Sequence, residues 1–191
     1  GVTPVTRKSL GIPENVILAG CVANFRKIKG VQYLLQSTCY LDENLPVHIL
    51  LVGSGMDGAD IKGLVPYSFR DRIHVAGFRS DIYEIISACD IYVQPSLSES
   101  LSRSVMEAMC LGVPCIVSDA GGLKELSGNG ECAELVHKAN APELADAIVK
   151  LAQDRSLREK YSFLARQRMA EVFSVSDMIE NTKILYEKIV S

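Results

Sequence analysis

The chain has 191 residues, 48% hydrophobic and 23% charged, with a formal net charge of −3. That balance suits one globular domain large enough to bury a core, and it excludes a disordered or fibrous chain. Without a lysine-rich or arginine-rich block, the mild acidity gives no general attraction to a phosphate backbone, so no nucleic acid partner is expected.

The apolar runs, such as Ile49 to Val52, are too short to cross a bilayer, and the opening GVTPVTRKSL lacks a signal peptide's apolar core. A cytoplasmic domain is expected. The chain opens on Gly1 rather than methionine, which suggests a piece of something longer.

The first unit is an apolar strand, VILAGCVA at 16 to 23, followed by the turn ANFRKIKG and a helical segment, VQYLLQSTCYL, beginning near Gly30. Arg26, Lys27 and Lys29 stand at the strand's carboxyl end. Cations beside a helix N-terminus, where unpaired N–H groups already favour negative charge, read either as an anion site or as a solvated basic turn.

The second unit, VHILLVG at 47 to 53, runs into VGSGMDG, which fits G-x-G-x-x-G through Gly53, Gly55 and Gly58, and then into the helical ADIKGLV. Two features argue for a tight turn over a dinucleotide site. The fingerprint follows the second strand and not the first, and the next strand, RIHVAG at 72 to 77, ends without the acidic residue that would hold a ribose of NAD.

Further along come the helix DIYEIISAC, the strand DIYVQPS at 90 to 96, the helix SVMEAMCL and the strand VPCIVSD at 113 to 119. In SDAGGLKEL, Gly121 and Gly122 permit either backbone approach to a ligand or a tight turn. From Pro142 the chain becomes helical through PELADAIVKLAQD, SLREKYSFLARQRMAEVF and SVSDMIENTKILYEKIV. The last carries an apolar stripe through Met178, Ile179, Leu185 and Ile189, with Ser176 as its expected N-cap. Such helices pack on the sheet or on each other, or dock on a domain outside this chain.

The strands are continuously apolar, as burial on both faces requires, and the connections are long enough for right-handed helical crossovers. The expected fold is α/β: a Rossmann-like three-layer domain with a mostly parallel sheet, helices on both faces and a helical C-terminal region. Function then belongs at the strands' carboxyl ends.

Six cysteines sit mostly in apolar segments without a close CxxC pair, and read as buried reduced thiols. The three histidines are scattered along the chain and suggest no metal site.

In PSLSESLSRSVMEAMCLGVP, Glu99 and Glu107 stand eight positions apart. On one continuous helix they would lie roughly 80° apart, but Pro95 and the serine run put Glu99 in the loop leaving the strand and Glu107 in the first turns of the helix. A carboxylate accepts two hydrogen bonds at once, which matches vicinal hydroxyls of a ribose or hexose, and a helix N-terminus between the two offers N–H groups to a phosphate. That combination describes a nucleotide sugar. Ser104 and Glu107 also fit a capping box, in which the glutamate satisfies only a backbone N–H.

The order ANFRKIKG, LLVGSG, IHVAGF, CDIYVQPS, SESLSRSVMEAMCLGVPCIVSDAGGLKEL, LADAI and LYEK resembles the C-terminal half of the retaining glycosyltransferases of family four, which have the GT-B fold. The likeness runs from about Val16 to Val190, and the E-x7-E segment followed by EAM, G-P and GG is specific in combination. It implies that residues 1–191 form the nucleotide-sugar donor domain of a two-domain enzyme whose N-terminal acceptor domain lies outside this chain.

By that resemblance, Glu107 holds the nucleotide ribose and Glu99 contacts the transferred sugar near the reacting centre, as stabiliser in preference to nucleophile. Backbone N–H groups of Ser100, Leu101 and Ser102 approach the sugar and phosphates, and the loop GFRS, with Phe78, lies near the base. Lys29 matches the family's phosphate-binding lysine. The arginine that usually stands five residues earlier falls on Asn24, with Arg26 two residues on, and the frequent E-G-F-G is Glu99-Ser-Leu-Ser102 here. The implied reaction moves a hexosyl unit from a nucleoside diphosphate sugar to an acceptor hydroxyl with retention, without metal or other cofactor, in agreement with the lack of a D-x-D pair. The acceptor, and any peripheral contact with a membrane, would come through the missing domain. A nucleotide-sugar epimerase of the same fold and a non-catalytic nucleotide-sugar module share the same donor site.

Overall fold

The computed structural model describes residues 2–57, 61 and 63–190. Gly58, the third glycine of the fingerprint, lies outside the described residues, as does much of the segment ADIKGLV. Six strands form one sheet: β1 (Ile17–Val22), β2 (Val47–Val52), β3 (Ile73–Gly77), β4 (Ile91–Gln94), β5 (Cys115–Ser118) and β6 (Glu134–Val136). Every pairing is parallel, in the order β3-β2-β1-β4-β5-β6. Among the described residues the helices are α1 (Val31–Ser37), α2 (Ile82–Ser87), α3 (Arg103–Leu111), α4 (Gly122–Leu126), α5 (Ala141–Gln153), α6 (Arg155–Val172) and α7 (Val175–Val190).

The reason for continuously apolar strands is visible in the packing. Successive β2 residues go to opposite faces: Ile49 and Leu51 join a cluster with Leu34 of α1 and Ile148 of α5, while Leu50 and Val52 join one with Ile86 of α2 and Met109 of α3. Each such fully buried aliphatic side chain stabilises the fold by about 1.5–3 kcal/mol relative to exposure. The sheet is thus a middle layer between two apolar cores, as its sequence predicts.

Helix α5 starts where Asn140 caps it, the side-chain oxygen accepting from the Glu143 N–H, with proline in its first turn. Its buried Leu144, Ile148 and Leu151 pack on the sheet, and α6 adds Tyr161, Ala165 and Met169 to the two cores. Helix α7 differs. It begins at Val175, so Ser176 lies inside its first turn and is not the N-cap, and Met178, Ile179, Leu185 and Ile189 are exposed.

Two further expectations are corrected. Cys21, Cys89, Cys115 and Cys132 are buried free thiols, but Cys39 and Cys110 are exposed, since an apolar segment wound into a helix still shows one side to water. Burial pushes the Cys21 and Cys89 thiols up to about 12. The histidines are not all scattered: pairing of β2 with β3 brings His48 Nδ1 within 2.8 Å of His74 Nε2, with the rings stacked.

Candidate functional site

The strand order reverses between β1 and β4, and the loops leaving these strands must diverge there, opening a crevice at the carboxyl edge of the sheet. A cleft of about 510 Å³ occupies that place. Val22 and Lys29 line it from the β1 side, Glu99, Leu101 and Ser102 from the loop after β4, and Arg103, Ser104 and Glu107 from the start of α3. Ser80, Ile82 and Tyr83 close the remaining wall.

Backbone contacts set this arrangement. After β1 the chain makes a short 3-10 turn, Lys27–Lys29, ending at Gly30 in the left-handed region with φ 69°. A Cβ on Gly30 would lie 1.8 Å from the Pro95 carbonyl oxygen, so glycine is what lets the β1 turn nest against the loop after β4. The Leu97 N–H donates to the Ile28 carbonyl across the same junction.

The Gly121–Gly122 pair solves the ambiguity of its sequence. The Gly122 N–H donates to the Glu99 carbonyl at 3.0 Å, and a Cβ on Gly122 would sit 1.5 Å from the Ser100 carbonyl oxygen. The close approach is therefore to the backbone of the glutamate loop. Gly53 plays a similar part on the other side, its would-be Cβ 2.1 Å from the Ala23 carbonyl oxygen.

Lys29 Nζ donates to Glu99 Oε2 at 2.6 Å, and the Ser96 hydroxyl donates to the same oxygen at 3.4 Å. Among the described residues both of these bonds fall on Oε2, and Glu99 lines the cleft. Only 11% of the Glu99 side chain is exposed, which places the pair in a less screened medium than a surface ion pair.

The capping box is not formed. Helix α3 begins at Arg103 with Ser102 as N-cap, so the position that would complete a box is Val105, and Ser102 makes no side-chain cap bond. Glu107 is a second-turn residue with its carboxylate on the cleft wall. Burial pushes its carboxyl up from the ordinary value of 4.5, opposed by the charge of Arg103 and by the Tyr83 hydroxyl. The first turn of α3 lacks a side-chain cap, and its Arg103 and Ser104 line the same cleft as Glu99 and Glu107.

Of the residues singled out in the sequence, Lys29, Glu99, Leu101, Ser102 and Glu107 come together on one cleft. Arg26, Phe78 and Ser100 are exposed and are not among its lining residues. Arg26 precedes the 3-10 turn in an extended conformation, φ −129° and ψ 142°, so a neighbour in sequence of Lys29 is not its neighbour on the wall. Sequence reading missed Tyr83, Arg103 and Val22. Tyr83 had one signal, its place on a helix that starts just past a strand's carboxyl end.

Known proteins resemble this chain in sequence and fold. Residues 2–168 match the family described as glycosyl transferases group 1. The N-acetyl-α-D-glucosaminyl L-malate synthase of Bacillus anthracis is 28% identical over 181 residues, covering 94% of this chain and 48% of that protein. Sucrose-phosphate synthase from Thermosynechococcus elongatus superposes with a TM-score of 0.80 at 26% identity, over 99% of this chain and 50% of that one. HepE from Anabaena, solved in complex with UDP-glucose, superposes with a TM-score of 0.82 at 24% identity, over 95% of this chain and 51% of that one. The chain thus spans about half the length of the relatives it matches. It belongs to the group 1 glycosyl transferase family.

Proposed function

We propose that this domain is the donor-binding half of a retaining, metal-independent hexosyltransferase that moves a sugar from a nucleoside diphosphate to an acceptor hydroxyl. The observation that carries the reading is the meeting, at the reversal of strand order, of the Lys29–Glu99 pair, Glu107 and the uncapped start of α3. The donor's chemical parts have matching groups along that line.

Glu107 accepts from the ribose hydroxyls, and Glu99, through Oε1, accepts from hydroxyls of the transferred sugar. An ammonium has three donors, so Lys29 retains two for the diphosphate while bonded to Glu99. As the glycosidic bond breaks, negative charge grows on the departing diphosphate, and Lys29 with the N–H groups of Ser102 to Ser104 stabilises it electrostatically. Arg26 is an outer cation that steers the anion, and Phe78 serves the base from the rim. Among the described residues no group of three or more His, Cys, Asp or Glu is arranged to hold a metal ion. Glu99 acts as a stabiliser of positive charge at the anomeric carbon.

The acceptor and its base belong to the half of the enzyme outside this chain, as does any peripheral membrane contact. No described helix is long and apolar enough to cross a membrane, and the reading places the enzyme in the cytoplasm. Relatives with sugar-transferring names and a structural neighbour that holds UDP-glucose support a nucleotide-sugar donor. Titrating UDP, GDP and ADP into the chain by calorimetry tests the reading. One should bind, and the chain alone should show little transfer. Absence of binding by all three, or efficient glycosylation by the chain alone, would overturn it.

A further inference from the structure

We propose that Gln94 is a positioning residue, whose buried amide acts through Ser96 to fix the direction in which Glu99 presents its carboxylate to the cleft. What Glu99 then contacts rests on the nucleotide-sugar reading above. The geometry itself does not.

Gln94 is the last residue of β4 and is only 1% exposed, in a position where an apolar side chain would fill the core without the cost of burying an amide. Both ends of its amide have partners. Nε2 donates to Ser96 Oγ at 2.9 Å, and Oε1 accepts from the Tyr92 hydroxyl at 3.2 Å and from Ser104 Oγ at 3.4 Å. Ser96 is itself buried, with its backbone carbonyl held by the Ser118 hydroxyl at 2.6 Å. It thus stands between Gln94 and Glu99, and Ser104 stands between Gln94 and Ser102, whose Oγ is 3.2 Å away.

The relay has a required direction. A carboxylate only accepts, so the single Ser96 proton must go to Glu99, and the Ser96 lone pairs must then receive a donor from behind. Gln94 Nε2 is that donor. An acceptor at the same place would take the Ser96 proton and turn the hydroxyl away from Glu99. The same amide also ties the glutamate loop to the first turn of α3, so one buried group sets the spacing between the two ends of the cleft.

Two substitutions separate positioning from mere packing. Gln94→Met keeps length and volume but has no N–H. Gln94→Glu keeps the shape and, while its buried carboxyl is protonated, carries an O–H donor in place of the amide N–H; once ionised it becomes an acceptor. The probes are UDP and UDP-glucose, titrated by calorimetry between pH 5.5 and 8, and the quantity followed is the ratio of their affinities. In the Gln94→Met chain the preference for UDP-glucose over UDP should fall about tenfold at every pH, with UDP affinity changed less than threefold, the loss expected when a hydrogen bond to a charged group is misdirected. In the Gln94→Glu chain the preference should be near that of the unmodified chain at the acid end and should fall as pH rises. A ratio unchanged in both variants, whatever happens to their melting temperatures, would show that Gln94 only fills the core.

If the unmodified chain binds neither probe, its donor does not carry UDP, and ligand-free crystal structures decide the positioning role. The expected result for Gln94→Met is a Ser96 hydroxyl turned out of hydrogen-bond range of Glu99 and a carboxylate in more than one orientation. An unmoved Ser96–Glu99 contact would overturn the proposal.

Discussion

The two loops that face each other across the cleft are built in opposite ways. The loop after β4 is wedged from three sides: Gly30 and Gly122 leave no room for a Cβ against the Pro95 and Ser100 carbonyls, and Ser118 holds the Ser96 backbone. The loop after β3 is open. A Cβ on Gly77 would meet nothing within 4 Å, Phe78 is 77% exposed, and Arg79 and Asp81 form a pair at the surface with Nη2 to Oδ2 at 2.6 Å. Preorganised groups are worth most where charge develops, and an adjustable wall suits the part of a ligand that varies. The contrast teaches that the glutamate wall of the cleft is set by the fold, and the facing wall by exposed side chains; on the proposed reading these serve the sugar and phosphates and the base respectively.

Breaking the rigid wall should have the largest effect. Gly122→Ala puts a methyl into backbone that cannot yield, and should cost on the order of 3 kcal/mol or more in urea unfolding. Gly77→Ala on the open side meets space but must hold φ near 63°, and should cost only about 1–2 kcal/mol in the same experiment. Equal losses would contradict the comparison.

Next in size, Glu107→Ala should weaken the best-bound nucleoside diphosphate by about 1–3 kcal/mol in calorimetry, through lost charge-assisted hydrogen bonds. Since Glu107 does not cap α3, the melting temperature should change little. A large drop in stability with unchanged affinity would restore the capping role. Phe78→Ala should act more weakly and selectively, by about 1 kcal/mol in the ranking of UDP, GDP and ADP and without effect on stability.

The smallest effect concerns pH, at the paired histidines of β2 and β3. His48 and His74 are each lowered from the ordinary value of 6.5 by burial, with the charges of His74 and Arg72 adding to the shift at His48. The unfolded chain therefore binds more protons than the folded one just below pH 6.5, so their contribution is whole above that pH and is lost as pH falls through the window beneath it. Replacing both by leucine should flatten the acid limb of a stability-against-pH curve. An unaltered limb would place the acid sensitivity elsewhere.

Much of the fold could be read because a strand buried on both faces has a composition that few other elements share. The runs ending at Val22, Val52 and Ser118 carry that signature, whereas β6 is only the three residues Glu134–Val136, too short for any period to register. The site was legible where chemistry and chain position coincide, as at Glu99 and Lys29. It was not where a single turn decides which side chain faces inward: Arg26 and Lys29 are alike in sequence, and the conformation before the 3-10 turn separates them. Capping depends on the same detail, because the helix starts at Arg103, two residues before the start that a Ser104 cap would need, and Glu107 falls in its second turn on the wall of the cleft. Gln94 was unreadable for another reason. A glutamine in an apolar strand signals only that its amide needs partners, and those lie on β4, its following loop and α3.

The central claim is that one cleft takes the whole donor in a fixed direction. A crystal structure of the chain with its tightest-binding nucleoside diphosphate tests this most directly. The account predicts ribose hydroxyls within hydrogen-bond distance of Glu107 and phosphate oxygens at Lys29 and the first turn of α3. A nucleotide bound instead at the turn after β2, or one that leaves both Glu107 and Lys29 untouched, would contradict it.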